Sequence, residues 1–144
     1  GGSMCPALDP GDVILVLPVR RDRLRRGDVV VVRDPRDPSR ETVKRVLGLP
    51  REHVTVHPDR FEIAGTPYDE PYARRLPHPS RESQQSVGWR VPPCHVVILG
   101  DDRSRSTDSR VYGPVPEELV IGRVAARLCP PGLAPHCAPR PPAG

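Results

Sequence analysis

The chain has 144 residues, which fits one domain large enough to bury a core. Its formal charge of +4 comes from 22 basic and 18 acidic residues, and only 3% of the residues are aromatic. Because aromatic stacking platforms and reader motifs are missing, we expect no nucleic-acid partner. No apolar run approaches the roughly 20 residues that cross a bilayer, so we expect this stretch of chain to be soluble.

In chain order, short aliphatic segments bounded by glycine, proline or aspartate predict β-strands. Together with 21 prolines, this pattern favours an all-β barrel or sandwich of short strands over a helical fold. Glu117 to Val120 is predicted to form a short helical turn after Pro116. The predicted strands are Val13 to Leu17, Asp28 to Arg33, Thr42 to Leu47, His53 to His57, Arg60 to Ile63, His95 to Leu99 and Leu119 to Ala126.

Two proline-rich stretches lie outside this strand pattern. Residues 66–93 are polar with little periodicity, and we expect them to form a long excursion outside the core. Residues 129–144 are predicted to be an extended, flexible tail. The folded domain is therefore assigned to residues 1–128.

Lys44 is the single lysine among the 22 basic residues, and it lies in the apolar stretch Thr42 to Leu47. Arginine keeps its proton in proteins, whereas a lysine desolvated among apolar neighbours can titrate low enough to act as a general base. The common alternative on a strand is a surface lysine that extends its amine into solvent. The use of arginine at every other basic position favours the base.

A general base needs a nucleophile, and the segment Gly1-Gly2-Ser3-Met4-Cys5-Pro6 offers a serine in a glycine turn. Glycines let a substrate approach the backbone closely. A third segment, Gly100 to Arg110, is rich in hydroxyl and charged side chains and follows the apolar run Val96 to Leu99. Taken singly these segments are typical of a linker and a solvated loop, but together they predict one site built from three parts of the chain.

Several short motifs occur in a fixed order along the chain. They are Ser3-Met4-x-Pro6, Gly11-Asp12, Arg26-Gly27-Asp28-Val29-Val30, Val43 to Pro50, Gly100-Asp101, Asp108-Ser109-Arg110, Tyr112-Gly113, Val115-Pro116 and Gly122-Arg123. This order, from Ser3 to about Arg127, resembles the type I signal peptidases, the S26 family of serine peptidases with a Ser/Lys dyad. The block Tyr112-Gly113-Pro114 is also similar to the mitochondrial inner-membrane relatives. The resemblance implies a signal-peptidase-like β fold in which residues 66–93 replace a larger inserted domain.

The resemblance also implies a role for each matching residue. Ser3 would be the nucleophile, Lys44 the general base, and Ser106 a hydroxyl that orients the lysine amine. The oxyanion hole would combine the backbone N–H of Ser3 with a backbone donor at Gly1, where some relatives offer a serine hydroxyl. Met4 would form a wall of the first substrate pocket. The framework of the site would come from Asp101, Asp108 and Arg110.

Two further positions depart from the family pattern: Ala7 stands in place of threonine and Asp102 in place of asparagine. Neither belongs to the dyad. A carboxylate at position 102 that came close to Lys44 would raise the pKa of the amine and oppose catalysis.

Substrate and location also follow from the resemblance. Members of the family remove N-terminal signal peptides from exported precursors, cleaving after small residues in Ala-x-Ala sequences. Because the family places a membrane anchor before the serine, we expect an anchor upstream of Gly1 and a catalytic domain on the extracytoplasmic face of the cell membrane. We also expect the protein to be a monomer. The cluster Arg20 to Arg26 is either a solvated loop or a contact with anionic headgroups.

The four cysteines lack the close spacing of metal sites, and the five histidines are scattered. We therefore expect neither a metal nor a cofactor. Cys129 and Cys137 form either a small disulfide in the tail or two free thiols.

Two other functions remain open on this reading of the sequence. A self-cleaving repressor-type protease shares a Ser/Lys dyad and a similar β core, although it lacks the Gly100 to Arg110 block. A catalytically inactive peptide-binding domain on the same fold is the second alternative. Incubation with an Ala-x-Ala precursor distinguishes the three, because only the peptidase cleaves in trans.

Overall fold

In the computed structural model, residues 2–5, 7–75 and 85–128 are described, and short β-strands dominate them. One α-helix, α1 (Ser109–Tyr112), and two 3-10 turns, Arg21–Arg23 and Glu117–Leu119, complete the regular structure of these ranges. No helix among them has the length and apolar character that crossing a membrane requires. The strands are β1 (Val13–Leu17), β2 (Val29–Asp34), β3 (Asp37–Gly48), β4 (His53–Val56), β5 (Phe61–Ile63), β6 (Thr66–Tyr68), β7 (Val87–Arg90), β8 (His95–Leu99), β9 (Val115–Pro116) and β10 (Val120–Leu128).

The strands form two antiparallel sheets. The larger has six strands in the order β1-β10-β2-β3-β8-β9, and the smaller has four in the order β6-β5-β4-β7. The predicted all-β class is therefore confirmed. Strand β3 is central to the larger sheet, pairing with β2 on one side and with β8 on the other.

Alternate residues of β3 and β8 fill two separate hydrophobic cores. Val46 and Ile98 belong to a first core under the larger sheet, whereas Leu47, Val97 and Leu99 belong to a second core that includes the smaller sheet. Successive side chains of a strand point to opposite faces, so a strand that is buried on both faces has a continuous apolar sequence. The unbroken apolar run at the end of β8 is explained by these two cores.

The predicted strands are present, and their bounds shift by a few residues. The largest shift is in β3, which begins at Asp37 because β2 and β3 form a hairpin in which Asp34 pairs with Asp37. The predicted helical turn at Glu117 to Val120 appears as the 3-10 turn Glu117–Leu119.

The excursion predicted at residues 66–93 belongs to the sheet at both of its described ends. It contributes β6 and β7, and Val91 is 1% exposed in the second core, so the expectation that this stretch stays outside the core is wrong there. Proline in a sequence argues against a strand, but it is tolerated in an edge strand such as β6. The prolines of this stretch therefore led the sequence analysis to miss β6. Residues 76–84 and the predicted tail, 129–144, lie outside the described residues.

Candidate active site

The structure brings the predicted nucleophile and the predicted base together. Lys44 lies on β3 opposite Val30 of β2, on the same face as Val46, and only 4% of it is exposed. Its amine Nζ donates a hydrogen bond to the hydroxyl Oγ of Ser3 over 2.9 Å. A neutral amine can accept the serine proton over the same contact.

The surroundings of Lys44 favour the neutral amine. Burial lowers the pKa of Lys44, Asp108 and Asp34 oppose that effect through their negative charge, and Arg110 reinforces it. Among the described residues, no carboxylate lies within ion-pair distance of the amine. Desolvation without a partner is the condition under which a lysine becomes a base at neutral pH.

Backbone hydrogen bonds fix the turn that carries Ser3. The Cys5 N–H donates to the Gly2 carbonyl over 3.1 Å, and the Asp102 N–H donates to the Ser3 carbonyl over 2.8 Å. Met4 is 3% exposed and anchors the turn in the protein. Gly1 lies outside the described residues, so the predicted oxyanion hole from Ser3 and Gly1 stays a prediction.

Asp108 organises the loop between β8 and α1. Its carboxylate accepts hydrogen bonds from the Gly100 N–H at 3.0 Å, the Ser106 hydroxyl at 2.7 Å and the Arg110 guanidinium at 2.9 Å. It also accepts from the Arg110 N–H at 3.1 Å and so caps α1. Burial alone would raise the pKa of Asp108, but the bonds from Arg110, Gly100 and Ser106 outweigh it and lower the pKa. Asp108 is therefore a charged framework group.

Ser106 lies near the turn that carries Ser3, but it makes no hydrogen bond to Lys44 among the described contacts. Its hydroxyl donates instead to Asp108. A Cβ on Gly100 would come within 2.2 Å of Ser106 Oγ and 2.8 Å of the Ser3 carbonyl oxygen. A residue with a side chain at position 100 would therefore clash with both Ser3 and Ser106, and glycine avoids this clash. The orienting role predicted for Ser106 stays a prediction.

Asp101 is held by a residue that the sequence analysis missed. Its fully buried carboxylate accepts two hydrogen bonds from Arg45, at 2.8 and 2.7 Å, and the guanidinium lies 4.0 Å from the centre of the Tyr72 ring. Arg45 follows Lys44 on β3 and points to the opposite face of the strand. A signal was available, since a second basic residue occurs inside the same apolar stretch.

The carboxylate of Asp102 is held within its own loop and is not among the charges that shift the pKa of Lys44. Its carboxylate accepts hydrogen bonds from the Ser104 hydroxyl and N–H, at 2.6 and 3.2 Å. The carboxylates that act on Lys44 are instead Asp108 and Asp34. Asp34, at the end of β2, was also missed by the sequence analysis.

A groove of about 470 Å³ opens beside Ser3 and Lys44. Ser3, Met4 and Lys44 contribute to its wall. The role predicted for Met4 in a substrate pocket stays a prediction. The rim is strongly charged, with both signs present. The charged residues that line it are Asp9, Asp12, Asp34, Arg36, Arg40, Glu41 and Arg105.

No group of three or more His, Cys, Asp or Glu side chains suited to a metal ion occurs among the described residues. Cys5 and Cys94 are free thiols. Cys129 and Cys137, for which a disulfide or free thiols were predicted, lie outside the described residues.

Comparison with known proteins gives a consistent set of relatives. Residues 1–129 match a family model described as signal peptidase, peptidase S26. The mitochondrial ATP-independent inner membrane protease subunit 1a of Arabidopsis thaliana is 40% identical over 134 residues, which cover 91% of this chain and 68% of that protein. The signal peptidase I of Bacillus caldolyticus is 33% identical over 141 residues, covering 90% of this chain and 76% of that protein.

A solved structure shares the fold as well. The crystal structure of a signal peptidase I from Enterococcus faecalis V583 superposes with a TM-score of 0.60 at 29% sequence identity. The match covers 72% of this chain and 97% of the crystallised chain.

Proposed function

The chain belongs to the signal peptidase family, peptidase S26, and from this premise we propose that it is a Ser/Lys dyad endopeptidase that removes signal peptides from exported precursors. Family membership confirms the resemblance indicated by the sequence motifs and makes the protein a peptidase. The observation that carries the proposal is the 2.9 Å contact between the Lys44 amine and the Ser3 hydroxyl beside an open groove.

In the proposed cycle, the neutral amine of Lys44 takes the proton of Ser3 while the serine oxygen attacks the carbonyl carbon of the scissile peptide. The oxyanion that forms would accept hydrogen bonds from the backbone N–H of Ser3 and from Gly1. The Lys44 ammonium then protonates the departing amine, and an acyl-enzyme remains on Ser3. Water, deprotonated by the same amine, hydrolyses the ester and restores the dyad.

The hydroxyl of Ser106 is proposed to orient the lysine amine during this cycle. A rotation about its side-chain bond would transfer its hydrogen bond from Asp108 to Lys44, because a serine hydroxyl turns freely. Asp101, Asp108 and Arg110 hold the loop in place and take no part in proton transfer.

For the substrate, we propose cleavage after small residues in Ala-x-Ala sequences. A shallow pocket walled by Met4 would exclude a large side chain through steric clash and a charge through loss of its solvation.

We further propose a monomeric catalytic domain at the extracytoplasmic face of the cell membrane, held there by an anchor upstream of Gly1. The relatives named as mitochondrial inner membrane proteases make the mitochondrial inner membrane the second candidate location.

The experiment is cleavage of an Ala-x-Ala precursor in trans by the purified chain and by single variants. Lys44→Arg matches the approximate size and the charge of the ammonium form but cannot be deprotonated, so we expect kcat to fall about 100- to 10,000-fold or more. Ser3→Ala should remove the acyl-enzyme altogether. The matched control for Ser3→Ala is Ser39→Ala, an exposed serine of the β2–β3 hairpin, which should leave turnover unchanged.

Each outcome identifies one function. Cleavage in trans that disappears in both dyad variants supports the proposal. Cleavage of the chain itself, without cleavage of added precursor, supports the repressor-type alternative. Saturable peptide binding without any cleavage supports the inactive binding domain, and near-normal turnover of Lys44→Arg excludes Lys44 as the base.

A further inference from the structure

The turn between β2 and β3 carries an ion pair that the proposed mechanism does not use. Asp34 is a buried carboxylate, 6% exposed in its side chain, that accepts hydrogen bonds from the Arg36 Nε at 3.2 Å, Nη2 at 3.0 Å and backbone N–H at 2.9 Å. The Arg36 guanidinium lies 5.4 Å from the centre of the Tyr112 ring. Arg36 is thus fixed between a carboxylate and an aromatic ring, although almost half of its side chain is exposed.

The ion pair faces the same groove as the dyad. Asp34, Arg36 and Lys44 all line it, and Asp34 ends the strand whose Val30 is the partner of Lys44 in the sheet. Lone carboxylates near a lysine stabilise its ammonium form, whereas a carboxylate paired with arginine contributes a much weaker field. The net charge of the pair therefore bears directly on the amine.

Lys44 has few charged neighbours, so the contribution of each can be separated. Asp34 and Asp108 increase its affinity for a proton, and Arg110 decreases it. Asp108 has its own partner in Arg110, on α1. Asp34 interacts with Arg36 and Arg40, and its pKa is lowered mainly by the hydrogen bonds from Arg36. The remaining charged groups of the groove are Asp9 and Asp12 from the first turns, Glu41 from β3 and Arg105 from the loop.

We propose that the Asp34–Arg36 ion pair sets the pH at which the site becomes active, because Arg36 neutralises a hairpin carboxylate that lines the same groove as the Lys44 amine. Both are positioning residues, since neither is required to touch the substrate. The inference rests on the proposed function in one respect: the pH range matters for cleavage only if Lys44 is the base. The electrostatic relation itself can be measured without cleavage.

The presence of one lysine in 144 residues provides the measurement. Protein labelled with carbon-13 at the lysine Cε gives a single Cε resonance, and its chemical shift against pH reports the titration of Lys44 alone. Arg36→Gln leaves Asp34 unpaired and should move the midpoint upward by about 0.5 pH unit, the size expected for one partly exposed charge. Asp34→Asn leaves the Arg36 cation unpaired and should move the midpoint downward. The double variant should return close to the wild-type value.

The control is Arg33→Gln, which removes the same charge from an exposed neighbour on β2. Its shift should be less than half of the Arg36→Gln shift. If Asp34→Asn does not fold, Arg36→Glu replaces it, and its upward shift should be about twice that of Arg36→Gln. Shifts of the two pair members in the same direction, or no shift in folded Arg36→Gln, would overturn the inference.

The two proposals fail in different ways. Opposite shifts of the lysine resonance support the ion-pair inference even when the chain cleaves no precursor, in which case the proposed function fails. Cleavage that depends on Ser3 and Lys44, combined with an unmoved resonance in folded Arg36→Gln, keeps the function and rejects the ion pair. With both correct, the acid limb of kcat/KM moves with the resonance in each variant.

Discussion

The two faces of strand β3 offer different partners to a basic side chain. On one face, Lys44 meets a hydroxyl, and no carboxylate of the described residues is within ion-pair distance. On the other face, the next residue, Arg45, makes a two-pronged ion pair with Asp101 and donates to the Gly27 carbonyl at 2.9 Å. Two adjacent basic residues thus have their pKa values shifted in opposite directions: burial lowers the pKa of Lys44, whereas at Arg45 burial is outweighed by the bonds to Asp101, which raise the pKa.

The difference follows from the chemistry of the two side chains. A guanidinium keeps its proton and offers a fork that matches a carboxylate, so it can be buried as a charge when a partner is present. An amine that is buried without such a partner releases its proton. The Arg45 face is therefore structural, whereas the Lys44 face is suited to proton transfer.

The largest effect is expected when the Arg45 pair is broken. Asp101→Asn leaves the guanidinium without its carboxylate, and we expect the free energy of unfolding to fall by about 3–5 kcal/mol. Denaturant unfolding measures this loss. The control, Asp37→Asn, alters an exposed carboxylate of the hairpin and should change stability by about 0.5 kcal/mol or less. A loss for Asp101→Asn as small as that of the control would mean that the pair is not structural.

On the Lys44 face of β3, removal of the lysine charge should stabilise the protein. Below the pH at which the native amine titrates, the wild type buries an ammonium, and Lys44→Met removes that cost. As the pH rises from there to about 10.4, the unfolded chain still binds a proton that the native protein has released. Wild-type stability then rises by up to about 1.4 kcal/mol per pH unit, and the advantage of Lys44→Met shrinks.

Denaturant unfolding of wild type and Lys44→Met across this pH range tests whether the stability difference between them falls as the pH rises. The control is Arg33→Met, which removes an exposed charge on β2 and should show a difference that is small and independent of pH. A Lys44→Met advantage that grows as the pH rises would contradict the depressed pKa of the lysine.

The contact between Ser3 and Lys44 could be anticipated from the sequence, because the signals of both residues are local. A single lysine in an apolar strand and a serine in a glycine turn each stand out against their neighbours. The apolar run at the end of β8 was equally clear, since burial on both faces removes polar residues from a strand.

The partners of charged residues could not be predicted in the same way. Arg45 and Asp101 are 56 positions apart, and their pairing depends on the register of β3 against β8, which shifts between Val46 and Gly48. The ion pair at Asp34 is local, but its relation to Lys44 depends on which face of β2 the carboxylate occupies. The short strands β6 and β7 gave no clear signal because each has three or four residues and lies at an edge.

The most direct test compares the pH dependence of kcat/KM for an Ala-x-Ala precursor with the titration of the single lysine resonance in the wild-type protein. If Lys44 is the base for Ser3, the two curves share one midpoint, which lies well below the value of about 10.4 for an ordinary lysine. A lysine resonance that titrates near that ordinary value, in an enzyme already fully active at neutral pH, would contradict the dyad.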